Sequence, residues 1–250
     1  MSADIDLSRP RNLSELVEAT LQLWARHKSV LFTVALVFAG PAAIVSQGLS
    51  RSSSQTGTDI TTADLRTYAL IGLFTAIEVP LVTGAYARAV ERYGAGEAVT
   101  VGIALRDGLR WFGAVFLALL LAGLATLGAF CLLILPGLWL AVRLAFVGQA
   151  AAVDRAGATA AFRSAMALTK GSWWRVFGIL ALVTVVEFIA VTLLSLPFAA
   201  VGGGAELAAA ALIQALVTSI STVIQTLFFF DLRARRTQAA AAAAAHDAWG

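Results

Sequence analysis

The stretch LLILPGLWLAVRLAF, residues 132–146, decides the fold. It is almost wholly apolar, yet it holds Pro136-Gly137 and, six residues further on, Arg143. The surrounding region from Trp111 to Val153 is nearly continuous in its hydrophobicity. As one straight helix it would be on the order of 60 Å long, about twice the hydrocarbon thickness of a bilayer. The chain must therefore turn back. Proline lacks the N–H that a continuing helix needs, and glycine takes conformations other residues avoid. Pro136-Gly137 thus predicts the turn of a helical hairpin, with spans over about 111–135 and 137–153.

Composition places that hairpin in a membrane. Of the 250 residues, 59% are hydrophobic and 13% charged, and the mean hydropathy is +0.83. Soluble domains carry about 25% charged residues, so too little polar material is present to coat a water-facing surface. The net charge of +3 is too weak to suggest nucleic acid as a partner. A single cysteine, Cys131, lies in an apolar run and excludes a disulfide framework.

Four further apolar runs are long enough to span: about 30–49, 67–90, 174–197 and 206–230. The first reads as a retained span rather than a cleaved leader. The expected fold is therefore all-α, a bundle of six transmembrane helices. One integral membrane domain covers residues 1–236, and an Ala-rich tail covers 237–250. Of the 18 Lys and Arg residues, only Arg51 and Arg66 fall in the segments opposite the termini, and Arg143 falls inside a span. The positive-inside rule then puts both termini in the cytoplasm.

Three segments resemble one another: 13–32, 101–116 and 159–178. Each is an amphipathic lead-in to a span, with tryptophans near basic residues as in an interfacial belt. They suggest a threefold internal repeat whose amphipathic interfacial helices lie on the cytoplasmic face.

Residues 132–180 carry a further pattern: Pro136-Gly137, Arg143, an acidic residue after the fourth span (Asp154), Ala160-Ala161, Arg163-Ser164, Leu168, Gly171 and Trp173-Trp174. This pattern resembles a bacterial family of multi-pass proteins related to the membrane domain of glycerophosphoryl diester phosphodiesterases. The resemblance implies a six-helix membrane domain, and the expected location is the bacterial inner membrane. It does not imply phosphodiesterase activity, which in those enzymes belongs to a separate soluble barrel with catalytic His and Glu residues and a metal.

The residues themselves offer little catalytic chemistry. His27 and His246 sit in no metal-ligand spacing, and no nucleophile elbow or phosphate-binding loop is present. The expectation is a protein that is not an enzyme and holds no metal or cofactor. The informative residues are Glu78, Arg143 and Glu187, each inside a predicted span. A charge at the bilayer centre costs about 2.5–3.5 kcal/mol on insertion scales, so Arg143 is expected to pair with Glu78 or Glu187. The cluster suits either a structural ion pair or a solute pathway. A second set, Arg106, Arg110, Arg155, Arg163, Lys170 and Arg175, flanks the lead-ins and suits anionic lipid headgroups. The first functional expectation is a non-enzymatic membrane protein acting as a lipid-interacting or scaffolding module. The alternative is a small transporter or channel-like protein built on the intramembrane charges. A water-accessible cavity reaching Glu78 or Glu187 would favour the alternative.

Overall fold

A computed structural model of the chain describes residues 5–53, 62–155, 157–199 and 203–247, and among them there is no strand. The helices are α1 (Leu13–Ser53), α2 (Thr62–Gly94), α3 (Val101–Leu132), α4 (Ile134–Leu144), α5 (Val147–Val153), α6 (Ala158–Thr169), α7 (Trp173–Ala199) and α8 (Gly203–Asp247). Six stretches are long and apolar enough to cross a membrane: Leu13–Leu49, Asp64–Gly94, Val101–Leu132, Ile134–Val153, Trp173–Phe198 and Gly203–Asp247. Helix α7 turns Val186, Phe188, Leu193 and Leu196 outward, a contiguous apolar face of the kind that water-exposed proteins cover. The side chain of Arg51 and residues 201–202 of the glycine-rich stretch lie outside the described residues.

The hairpin forms, but its turn is not Pro136-Gly137. Leu133 makes it, with extended backbone (φ −161°, ψ 151°) between α3 and α4. The Leu133 amide still donates to the Ala129 carbonyl at 3.0 Å, closing α3. Pro136 falls in the first turn of α4, where a missing N–H deprives the helix of no bond. Gly137 faces α3 closely: an added Cβ would lie 2.4 Å from the Phe130 ring. The fourth span is also two helices, because Phe146 (φ −104°, ψ 15°) separates α4 from α5.

The amphipathic lead-ins are helical, yet only the third is a separate helix. The first continues into its span through a kink at His27 (φ −115°, ψ 23°). The second is the beginning of α3. In α6, Ala158, Ala161, Ala165 and Leu168 are buried, the spacing of one helix face. The Ala-rich tail forms no unit of its own, since α8 runs through it to Asp247.

The core gathers around the short helix α5, whose residues Val147 to Ala152 are all buried. Phe146 meets Phe228 edge-on with ring centroids 5.5 Å apart. Around it the helices approach through small residues, as lipid-embedded helices do when no water drives them together. A Cβ on Gly108 of α3 would lie 2.9 Å from the Leu81 carbonyl oxygen of α2. The Tyr86 hydroxyl donates to the Leu31 carbonyl at 2.6 Å and joins α2 to α1.

One buried carboxylate ties the N-terminus to the last two spans. Asp231 is fully buried. It accepts from the Arg11 amide at 2.5 Å, from Arg175 Nη2 at 3.1 Å and from Arg235 Nε at 3.0 Å. The same two guanidinium groups donate to the Arg11 carbonyl, at 2.9 and 2.7 Å. Nearby, Asp154 pairs with Arg233 at 2.8 Å and accepts from Ser164 at 3.0 Å. Asp154 and Ser164 thus clamp the α5–α6 turn onto α8, while Arg163 is exposed.

Two outcomes follow for stability, read by thermal unfolding in detergent. Gly108→Ala should destabilise the protein by about 1–3 kcal/mol, because a backbone oxygen cannot swing aside. Asp231→Ala should cost more, about 3–5 kcal/mol, by leaving two guanidinium groups without their buried counter-charge.

Candidate functional site

A polar cavity of about 440 Å³ lies among the apolar helices. Glu78 and Thr75 line it from α2, Gln149 from α5, Glu187 from α7, and Gln214, Thr218, Ser221 and Gln225 from α8. The α8 residues recur at intervals of four, three and four, which sets them along one side of the helix. Gln149 reaches the cavity because α5 is inserted between α2 and α3, with Gly148 lying close against Thr83 and Leu119. Ser46 and the small residues Ala42 and Ala43 of α1 complete the wall.

Both predicted carboxylates belong to this site. Glu187 accepts a hydrogen bond from the Ser221 hydroxyl at 3.3 Å. Glu78 lines the same cavity from α2 and makes no ion pair among the described residues. Among the described residues, no Lys, Arg or His lines the cavity. Its charged groups are therefore two carboxylates, and its remaining polar groups are hydroxyls and amides, which donate or accept as the occupant requires.

Arg143 is not part of this cluster, and the expected pairing with Glu78 or Glu187 does not form. The guanidinium sits over the Trp139 ring at 5.1 Å, and its buried Nε has no hydrogen-bond partner. Its backbone carbonyl accepts from Thr169 at 3.2 Å. The bend between α4 and α5 carries Arg143 toward the α6–α7 junction, where Arg236 donates to the Leu168 and Lys170 carbonyls. An exposed apolar hollow lined by Leu135, Leu138, Trp139, Trp173 and Trp174 lies beside it. The aromatic face supplies Arg143 with a cation–π contact in place of a carboxylate.

The second predicted set divides. Arg106, Arg110, Arg155, Arg163 and Lys170 are exposed, and Arg110 lies 6.0 Å from the Trp111 ring centroid. Arg175 is half-buried and committed to Asp231, so it is not free for a headgroup. His27 stacks on Tyr93 with centroids 3.9 Å apart. Among the described residues, no three His, Cys, Asp or Glu side chains gather where a metal ion could be held.

The sequence reading missed two features. Asp231 stands alone before a run of arginines in FFFDLRARR, which marks it as their counter-charge. The Gln214, Thr218, Ser221, Gln225 series is a polar stripe within a span, visible once its helical phase is followed.

Residues 28–239 match the model of a domain of unknown function, DUF7847, and the chain belongs to that family. No curated protein and no solved structure matches it.

Because Arg143 and the two carboxylates occupy separate surroundings, their substitutions should act independently. The effects of Arg143→Ala and Glu187→Ala on thermal unfolding should add within about 0.5 kcal/mol in a double-mutant cycle. A coupling well above that would restore the ion pair.

Proposed function

We propose that the protein is a small transporter or channel-like membrane protein that accepts a cationic solute in the cavity between α1, α2, α7 and α8. One observation carries this reading: Glu78 and Glu187 line a polar cavity among apolar helices, with no basic residue beside them among the described residues. Ionisable groups within membrane spans mark solute pathways, and carboxylates facing a pore favour cations. A cavity of about 440 Å³ suits a small molecule, since ligand pockets occupy roughly 300–1,000 Å³.

A second reading, a non-enzymatic lipid-interacting or scaffolding module, draws on different residues. Arg106, Arg110, Arg155, Arg163 and Lys170 are exposed and carry no counter-charge among the described residues. Arg143 lies over Trp139 beside the tryptophan-lined hollow. Such groups attract anionic headgroups at about 1 kcal/mol per charge. The two readings are compatible, with lipids as the partner on the outside and a solute within.

The setting proposed with them is a bacterial inner membrane with both termini cytoplasmic, supported by the Lys and Arg asymmetry. The three amphipathic lead-ins then lie on the cytoplasmic face as parts of a threefold unit. The likeness to the membrane domain of glycerophosphoryl diester phosphodiesterases is consistent with this setting and supplies no catalytic group. We propose no enzymatic step and no cofactor.

Uptake of labelled methylammonium into proteoliposomes tests the cavity reading. The intact protein should carry it, Glu78→Gln and Glu187→Gln should each lower the rate by roughly tenfold or more, and Arg163→Gln should leave it unchanged. Uptake no faster than in empty liposomes, or indifferent to both carboxylates, would overturn the proposal.

A further inference from the structure

Glu187 and Ser221 belong to two spaces at once. On one side they line the polar cavity. On the other they line an apolar groove of about 350 Å³, walled by Leu13, Val17 and Leu21 of α1, Val186 of α7, and Val217 and Ile224 of α8. Leu13, Val17, Leu21 and Val186 are exposed, so the groove opens on the outer surface of the bundle. Glu187 is its only charged residue among the described residues. A carboxylate therefore stands where an apolar channel from the bundle surface meets a polar chamber.

We infer that the solute is an amphiphilic cation, an ammonium-type head carried on an apolar chain. This rests on the cavity reading and adds the substrate class. The head meets the Glu187 carboxylate, with the hydroxyls and amides of α8 beside it. The chain lies in the groove against α1, α7 and α8, where its burial is favourable because the walls are aliphatic. A small hydrophilic cation would leave the groove unfilled. A neutral amphiphile would leave the carboxylate without its counter-charge. Only a molecule with both parts fits both spaces. The opening between α1 and α7 lets such a solute arrive from the lipid rather than from water.

Binding to the full-length protein in lipid nanodiscs, measured by equilibrium dialysis, separates the outcomes. The probes are dodecylammonium, ethylammonium and dodecanol. Dodecylammonium should bind saturably and at least roughly tenfold more tightly than ethylammonium, with no saturable dodecanol binding. Glu187→Gln should weaken both amines by roughly tenfold. Val186→Trp, which fills the groove from an exposed position, should weaken dodecylammonium alone, and retained ethylammonium binding shows that the cavity is intact. Equal affinity for the two amines, or dodecylammonium binding untouched by Val186→Trp, would overturn the inference and leave the cavity reading standing. Dodecylammonium binding indifferent to Glu187→Gln would reduce it to lipid partitioning. Absence of binding by either amine would remove both.

Discussion

Charge in hydrocarbon is expensive, and the structure is organised around where its few charges go. An ionic group withdrawn from water is stabilised by a counter-charge, a hydrogen-bonding shell or an aromatic face. Asp231 takes the first course, with two guanidinium groups and a backbone amide around it. Arg143 takes the third, over Trp139. Glu187 takes the second, with Ser221 and the polar chamber. The Asp231 cluster fixes how the N-terminal segment, α7 and α8 meet. Further along the same pair of helices, Glu187 of α7 meets Ser221 of α8.

The contrast between these carboxylates separates structure from function. Asp231 is fully buried, its oxygens are occupied, and the arginines around it are held in turn by the Arg11 carbonyl. Nothing remains for a ligand to do there. Glu78 has no ion-pair partner among the described residues, and Glu187 has one weak hydroxyl donor at 3.3 Å. Both face open volume. Under the proposed function, these incompletely satisfied carboxylates are the ones an occupant would meet.

Much of the architecture is legible in the sequence, because hydropathy and length decide which segments can cross a membrane. The six apolar stretches, the need for a hairpin after Trp111 and the intramembrane positions of Glu78 and Glu187 all follow from that. The turn itself is misread because proline is equally at home ending a helix and opening one. The spacing of Leu133, Pro136 and Gly137 does not decide between them. The partner of Arg143 is also invisible. It depends on a bend at Phe146 that no local signal announces, and on an aromatic ring four residues back being a better neighbour than a distant carboxylate. The polar stripe of α8 is present in the sequence, but average hydropathy dilutes Gln214, Thr218, Ser221 and Gln225 among their apolar neighbours. Only their phase around the helix gathers them.

The central claim is that a hydrated, acidic chamber exists inside the bundle. Cysteine accessibility tests it most directly. With Cys131 replaced by serine, a single cysteine is placed at Thr218, which lines the chamber, or at Leu212, which faces outward. Charged methanethiosulfonate reagents are then applied to the protein in liposomes. Thr218→Cys should react, the cationic reagent should outpace the anionic one there, and Glu78→Gln together with Glu187→Gln should remove the difference. A Thr218→Cys thiol that stays inert to both reagents, or reacts without regard to their charge, would contradict it.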